Sequence, residues 1–193
     1  MSEPTLTTLP PGIRDLVEMG YGFYYNTAAA GVAAAVAGTA SAPMLWNPSD
    51  SDVRLKIIKI RCGSVSGTVI VGHIAYGILL AAGAQIGTAQ PIVSYTAGTA
   101  VNAVPGAGRV SKIKFAPLTL LLTAAPTYLM PSGLSSGGAL AAGPLYKLED
   151  YLDGGLIINP GVAFFPYISN AALALTAAIS VFALEIPISQ TIS

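Results

Sequence analysis

The sequence predicts an all-β fold, and three observations carry that prediction. Residues 173–185 alternate: Leu173, Leu175, Ala177, Ile179, Val181 and Ala183 fall on one face, and Ala174, Thr176, Ala178, Ser180, Phe182 and Leu184 on the other. That is the two-residue period of a pleated strand, not the period of a helix. Residues 53–61 alternate as well, with Val53, Leu55 and Ile57 apolar and Arg54 and Lys56 charged. Turn signals such as Asn47-Pro48-Ser49-Asp50 and Asn159-Pro160-Gly161 separate such runs, and no long stretch carries a helical apolar stripe. A strand as long as 173–185, apolar on both faces, needs partners on both edges and belongs in the middle of a sheet.

Taken in order, residues 1–20 read as an N-terminal extended arm. Leu9-Pro10-Pro11-Gly12 resists regular structure, because two prolines remove donors and fix the backbone. Residues 13–19 are long enough for one or two helical turns, which are not stable alone. The arm is therefore expected to order on another subunit, with Leu9, Ile13, Leu16 and Val17 as apolar anchors and Arg14 and Asp15 as rim charges. Its removal is expected to leave a folded domain over residues 21–193.

That domain opens with Tyr21, Phe23 and Tyr25 on one face of a strand. Residues 28–42, rich in Ala, Gly and Thr, read as extended. Met44-Leu45-Trp46 is a short strand. In 53–61 the alternation slips at Ile57-Ile58, the signature of a β-bulge that keeps Arg54, Lys56, Lys59 and Arg61 on one face. Gly63-Ser64-Val65-Ser66-Gly67 is a turn, and residues 68–80 follow as a second long strand, giving a hairpin. Residues 81–108 form a long uncharged loop with a short strand at Ile92-Val93-Ser94-Tyr95. Residues 112–115 and 118–123 alternate again, residues 132–142 are a loop, and Glu149, Asp150 and Asp153 form an acidic turn. About eight strands with long intervening loops favour a single jelly-roll sandwich over an immunoglobulin-like one.

Composition narrows the functional classes. The 193 residues hold 9 basic and 9 acidic side chains, so 9% are charged, against about 25% in an average soluble domain. Hydrophobic residues reach 53% and mean hydropathy is +0.65. A monomer of this kind is poorly soluble near neutrality. Burial against other protein chains is the favoured solution. A membrane span is disfavoured because residues 68–85 contain Gly72, Gly77 and Gly83 and lack a basic flank, and the other uncharged stretches are broken by prolines. The acidic, polar Met1-Ser2-Glu3-Pro4 does not resemble a signal peptide.

The chemistry of sites is mostly excluded. His73 is the only histidine and Cys62 the only cysteine, so a histidine-rich metal site, a disulfide and a zinc site within the chain are ruled out. His73 stands in an apolar strand with no Gly-x-Ser-x-Gly elbow to serve. Glu149, Asp150 and Asp153 lack the spacing of a calcium loop, and a solvated turn is the simpler reading. Glycine-rich pieces such as Gly106-Ala107-Gly108 lack the lysine of a phosphate loop. Arg54, Lys56, Lys59, Arg61, Lys112 and Lys114 form a stripe if their strands are neighbours. With zero net charge, an acidic protein surface or a lysine-protected edge explains it better than nucleic acid. No catalytic residue, cofactor or metal is expected.

Leu45-Trp46-Asn47-Pro48, Arg61-Cys62-Gly63-Ser64-Val65-Ser66-Gly67-Thr68, Gly72-His73-Ile74-Ala75-Tyr76-Gly77 and Ile157-Ile158-Asn159-Pro160-Gly161-Val162-Ala163-Phe164 resemble small jelly-roll virion proteins of tailed bacteriophages, which include capsid decoration or cement proteins and head or tail appendages. The resemblance implies a non-enzymatic structural protein of the virion, assembled in the host cytoplasm. It implies a homotrimer that binds the major capsid protein or another virion protein and stabilises the assembled capsid. The alternative is a receptor- or glycan-binding module of a tail fibre or baseplate, which needs an exposed aromatic-polar pocket. A hydrolase, the third reading, needs carboxylates or His73 converging in a cleft. On the leading reading, His73→Ala and Cys62→Ser change stability at most. An activity assay in which either variant is dead while its circular dichroism is unchanged would overturn it.

Overall fold

The computed structural model describes residues 11–27, 32–33, 43–66, 72–87, 91–135, 147–169 and 176–189. Among the described residues the chain is all-β apart from one short helix, α1 (Pro11–Glu18). The strands are β1 (Gly22–Asn26), β2 (Val32–Ala33), β3 (Met44–Asn47), β4 (Val53–Ser66), β5 (Gly72–Leu80), β6 (Ile92–Thr96), β7 (Ala100–Asn102), β8 (Lys114–Ala116), β9 (Leu118–Leu122), β10 (Thr127–Ser135), β11 (Lys147–Ile158), β12 (Val162–Ser169) and β13 (Thr176–Pro187). One antiparallel sheet runs β11-β4-β13-β1-β7, with β2 also on β13. The second runs β10-β5-β12-β3-β8, and β6 and β9 form a small third sheet.

The long last strand is central, as its two apolar faces require. β13 pairs with β4 along one edge and with β1 and β2 along the other. Its inward residues Ile179, Val181 and Ala183 meet Leu55, Ile57, Ile60, Tyr76, Phe115 and Phe164 in the core between the two main sheets. Its outward residues Phe182, Leu184 and Ile186 form a second cluster with Ile58, Ile13 and Val17, so α1 lies on the outside of this sheet. The second sheet is covered in the same way. Met44, Trp46, Leu79 and Phe165 turn away from the central core and pack against Ile92 and Leu122 of the small sheet.

The bulge falls where the alternation slips. Ala183 pairs with Ile57 and Phe182 with Lys59, leaving Ile58 without an opposite residue on β13. On the other side β11 pairs Leu156 with Ile57 and Tyr151 with Lys59, so residues 152–155 stand against Ile58 alone. Asp153 in this excursion has φ 45°, an uncommon conformation for a residue with a side chain. Ile58 turns outward beneath α1, while Ile60 and Cys62 return to the inner core. All four cations of β4 keep the outer face, since their partners on β13 are Phe182, Leu184, Ile186 and Ser180.

Three sequence expectations change. First, β4 and β5 are not a hairpin: β4 pairs with β11 and β13, and β5 with β10 and β12, so the chain crosses between sheets. Second, strand structure extends further than turn-like composition suggests. β10 runs to Ser135 across Pro131, and the acidic residues lie within β11 rather than in a turn. Third, α1 belongs to the domain. Val17 is 0% exposed and Ile13 9%, so the boundary at Tyr21 moves to the start of the helix. The extended segment expected at 28–42, apart from β2, and residues 136–142 of the loop expected at 132–142 lie outside the described residues.

Local chemistry explains where α1 starts and stops. Pro11 suits the first helical turn, where its missing donor is not needed. At the other end Gly20 adopts φ 80°, with Gly20 N–H donating to Val17 O at 2.8 Å and Tyr21 N–H to Leu16 O at 3.0 Å. This is the Schellman ending, which needs a residue that tolerates the left-handed region. The seat is tight: a Cβ at Gly22 would stand 3.1 Å from Val17 Cγ2 and 3.3 Å from the Phe182 ring.

Val17→Ala is expected to cost about 2 kcal/mol in urea unfolding, because it opens a cavity under the helix. Deleting residues 1–20 uncovers Ile58, Phe182, Leu184 and Ile186 and should give a chain that binds hydrophobic dye and aggregates. A truncated chain as stable and monodisperse as the full one would show that the helix is dispensable.

Candidate functional site

The residues singled out in the sequence do not form one surface. Ile13 and Val17 are buried against their own sheet, so they are not free to anchor on a neighbour. Leu16 is half-buried beside them, and Leu9 lies outside the described residues. Arg14 and Asp15 are exposed, and Arg14 Nε stands 3.7 Å from Glu18 Oε1 one turn on. At such exposure that pair contributes little. The correction has a simple physical reason. The helix offers one apolar face, and the outer face of β13 and β4 needs a cover.

The six cations do not make one stripe. Lys112 and Lys114 approach and enter β8, which pairs with β3 in the second sheet, whereas the others lie on β4 in the first. Two of the β4 cations are neutralised. Glu149 takes Lys59 Nζ at 3.0 Å through Oε2 and Arg61 Nε at 3.0 Å through Oε1. Lys59 also donates to the Tyr151 hydroxyl, and its ammonium lies 4.0 Å from the centre of that ring. Lys59 is only 3% exposed, so these partners replace its hydration. Asp150 points the other way, accepting from the Tyr76 hydroxyl at 2.5 Å. Alternation along β11 thus splits the acidic cluster between two faces. Among the described residues no three His, Cys, Asp or Glu side chains converge to hold a metal.

A cleft of about 360 Å³ lies at one end of the sandwich. One lip is the β3–β4 turn, with Pro48, Asp50, Ser51 and Asp52. The other is the approach to β8, with Ser111, Lys112 and Lys114. Ala84 and Gln85, after β5, complete the lining. Ser49 N–H donates to Gly83 O at 3.3 Å, and Ile188 N–H to Asp52 O at 2.9 Å, which fix the acidic lip to its neighbours.

Behind the cationic lip sits Glu185, 2% exposed, on the inward face of β13. Its Oε1 accepts from the Tyr25 hydroxyl at 2.6 Å and from the Ser111 hydroxyl, and its Oε2 from Lys112 N–H at 2.8 Å. The Ser111 hydroxyl also accepts from Ile113 N–H at 3.1 Å. A segment outside the strand ladders is therefore held by a buried carboxylate. Burial, the adjacent Glu185 carboxylate and its hydrogen bond raise the Tyr25 hydroxyl well above its usual range, opposed by the Ser111 hydrogen bond.

Sequence reading missed this arrangement. It took 47–50 as a turn and Lys112 and Lys114 as part of a stripe. The available signal was Glu185, a carboxylate in phase with Val181 and Ala183 on the core face of its strand. His73 lies in β5 opposite Ser169 and Leu134; its side chain is outside the described residues. Cys62 is buried and its thiol is pushed by burial from 9.0 to about 12, which makes it a poor nucleophile. No helix among the described residues is long and apolar enough to cross a membrane. Comparison with protein families, curated proteins and solved structures gives no match.

Raised folded values for Cys62 and Tyr25 fix the sign of the alkaline response. The unfolded chain loses these protons first, Cys62 near 9.0 and Tyr25 near 10.0. Stability is thus intact below pH 9.0 and falls as pH climbs through the folded value of about 12 for Cys62, by up to about 1.4 kcal/mol per pH unit for each group. Urea titrations should show the fall beginning near pH 9 in the natural chain and about one unit later in Cys62→Ala. Identical profiles for the two would remove Cys62 from this account.

Proposed function

We propose that the chain is a non-enzymatic structural protein of a phage virion, a single jelly roll that decorates or cements the capsid and works as a homotrimer. The order of its eight longer strands in the two main sheets supports the jelly-roll reading. Numbered one to eight along the chain they are β1, β3, β4, β5, β10, β11, β12 and β13. The first, eighth, third and sixth are neighbours in one sheet, and the second, seventh, fourth and fifth in the other. Two interleaved Greek keys produce that order.

The observation that carries the functional reading is the partition of charge. β3, β5, β10 and β12, with the covering strands β6 and β9, contain not one Asp, Glu, Lys or Arg. β4 and β11 hold Arg54, Lys56, Lys59, Arg61, Lys147, Glu149, Asp150 and Asp153. Apart from Lys114 on the edge strand β8, the strands of this side carry no charge, so they lose little hydration when another chain covers them, which suits packing around a symmetry axis. Binding only the assembled lattice then stabilises that lattice by mass action.

The competing classes have less support. Aromatic side chains are absent from the lining of the cleft, whereas a glycan platform uses one. Asp50 and Asp52 share one lip and face lysines, whereas hydrolysis by two carboxylates needs them on opposing sides of the bond. Glu149 occupies Lys59 and Arg61, which weakens the case for nucleic acid.

Light scattering on the purified chain should return three times the 19.6 kDa chain mass. Added to capsids that lack it, the protein should co-sediment with them and raise the temperature at which they release their genome. A 19.6 kDa species at micromolar concentration, or no co-sedimentation, would overturn the corresponding half of the proposal.

A further inference from the structure

We propose that the cleft at the end of the sandwich binds a small zwitterion, an amino acid-like molecule with its ammonium against Asp50 and Asp52 and its carboxylate against Lys112 and Lys114. The inference goes beyond the virion reading and does not depend on it. Charge is scarce in this chain, yet four charged side chains line one cleft. None of the four forms an ion pair within 4.0 Å with another described residue.

Each lip carries two like charges, two residues apart. On a surface built only for solubility, mixing the signs would avoid that repulsion. Here the signs are segregated, negative on one wall and positive on the other. A simple anion meets the acidic wall and a simple cation the basic one. A molecule carrying both charges satisfies both walls at once. Gln85 adds a hydrogen-bonding group between the lips. Pro48 and Ala84 are the apolar lining residues, so a large apolar side chain or a stacked ring finds no complement. The volume of about 360 Å³ takes a molecule rather than a bare ion. The basic wall is also preformed, because Glu185 fixes Ser111 through its hydroxyl and Lys112 through its main-chain N–H. That leaves the Lys112 side chain free to meet a ligand without disturbing the wall.

The test uses the full-length protein, backbone amide NMR and a series of probes with increasing charge separation: glycine, γ-aminobutyrate and ε-aminocaproate. Acetate and methylammonium serve as single-charge controls. At least one zwitterion should give saturable shifts at Ser51, Asp52, Gln85 and Lys112, about tenfold tighter than either control, and should weaken with added salt. Lys112→Gln and Asp52→Asn change exposed side chains and should each weaken that binding at least about fivefold with unchanged melting temperatures. Shifts that match the controls at equal concentration, or no saturable response to any zwitterion, would overturn the proposal. A response confined to a blocked peptide, acetyl-Lys-Gly-Glu-amide, would overturn it in favour of a protein segment as the occupant.

Discussion

The architecture depends on one strand having no face to give to water. Along β13, Ile179, Val181, Phe182, Ala183, Leu184, Glu185 and Ile186 are all buried. Burying a large apolar side chain is worth about 1.5–3 kcal/mol, so both faces need a cover. The second sheet covers the inner face and α1 the outer. Neither cover is independent: an eight-residue helix is not stable alone, and the sheet without it would expose Ile58, Phe182, Leu184 and Ile186. The opposite sheet repeats the logic with Trp46, Leu79 and Phe165 beneath β6 and β9. The sandwich is thus clad on both sides.

The bulge in β4 reconciles two demands on that sheet. Before it, Leu55 and Ile57 face the core; after it, Ile60 and Cys62 do. The extra residue, Ile58, turns outward and completes the seat for α1. The same shift leaves Lys59 outward and almost fully covered, where Glu149 and Tyr151 receive it. Replacing such a buried pair by apolar residues is often neutral for stability. Its clearer effect is on register, since a slip of β11 would leave Lys59 buried without a partner. Other edges are blunted by different means. β7 and β8 have three residues each, and β10 carries Pro131 and two register shifts.

How much of this was legible follows from which signals are local. The alternation in 173–185 made β13 central, and the slip at Ile57-Ile58 located the bulge, because both are properties of neighbouring residues. Pairing was not legible. Gly63-Ser64-Val65-Ser66-Gly67 reads as a hairpin turn, yet Ser64 and Ser66 pair with β13 and the chain passes to the other sheet. The helix was foreseen as one or two turns, but its destination was not. Amphipathicity says that one face must be buried and is silent on whether the surface belongs to the same chain. The cleft was hidden for a similar reason. Its walls come from segments around residues 50, 85 and 112, and only the sheet topology joins them.

Glu185 links the core to that cleft. A carboxylate in the core phase of a central strand costs several kcal/mol in lost hydration unless donors replace the water. Tyr25, Ser111 and Lys112 N–H supply them. An apolar residue would avoid the desolvation cost and pack as well beside Ala183, so apolar packing alone gives no reason for a carboxylate here. What the carboxylate adds is direction. Residues 109–113 belong to no strand, and a surface loop ordinarily varies its shape. Two bonds from Glu185 bind this loop to a strand that is buried on both faces. The backbone that carries Lys112 is therefore tied to the core. An anchored backbone of that kind suits the charge recognition proposed for the cleft.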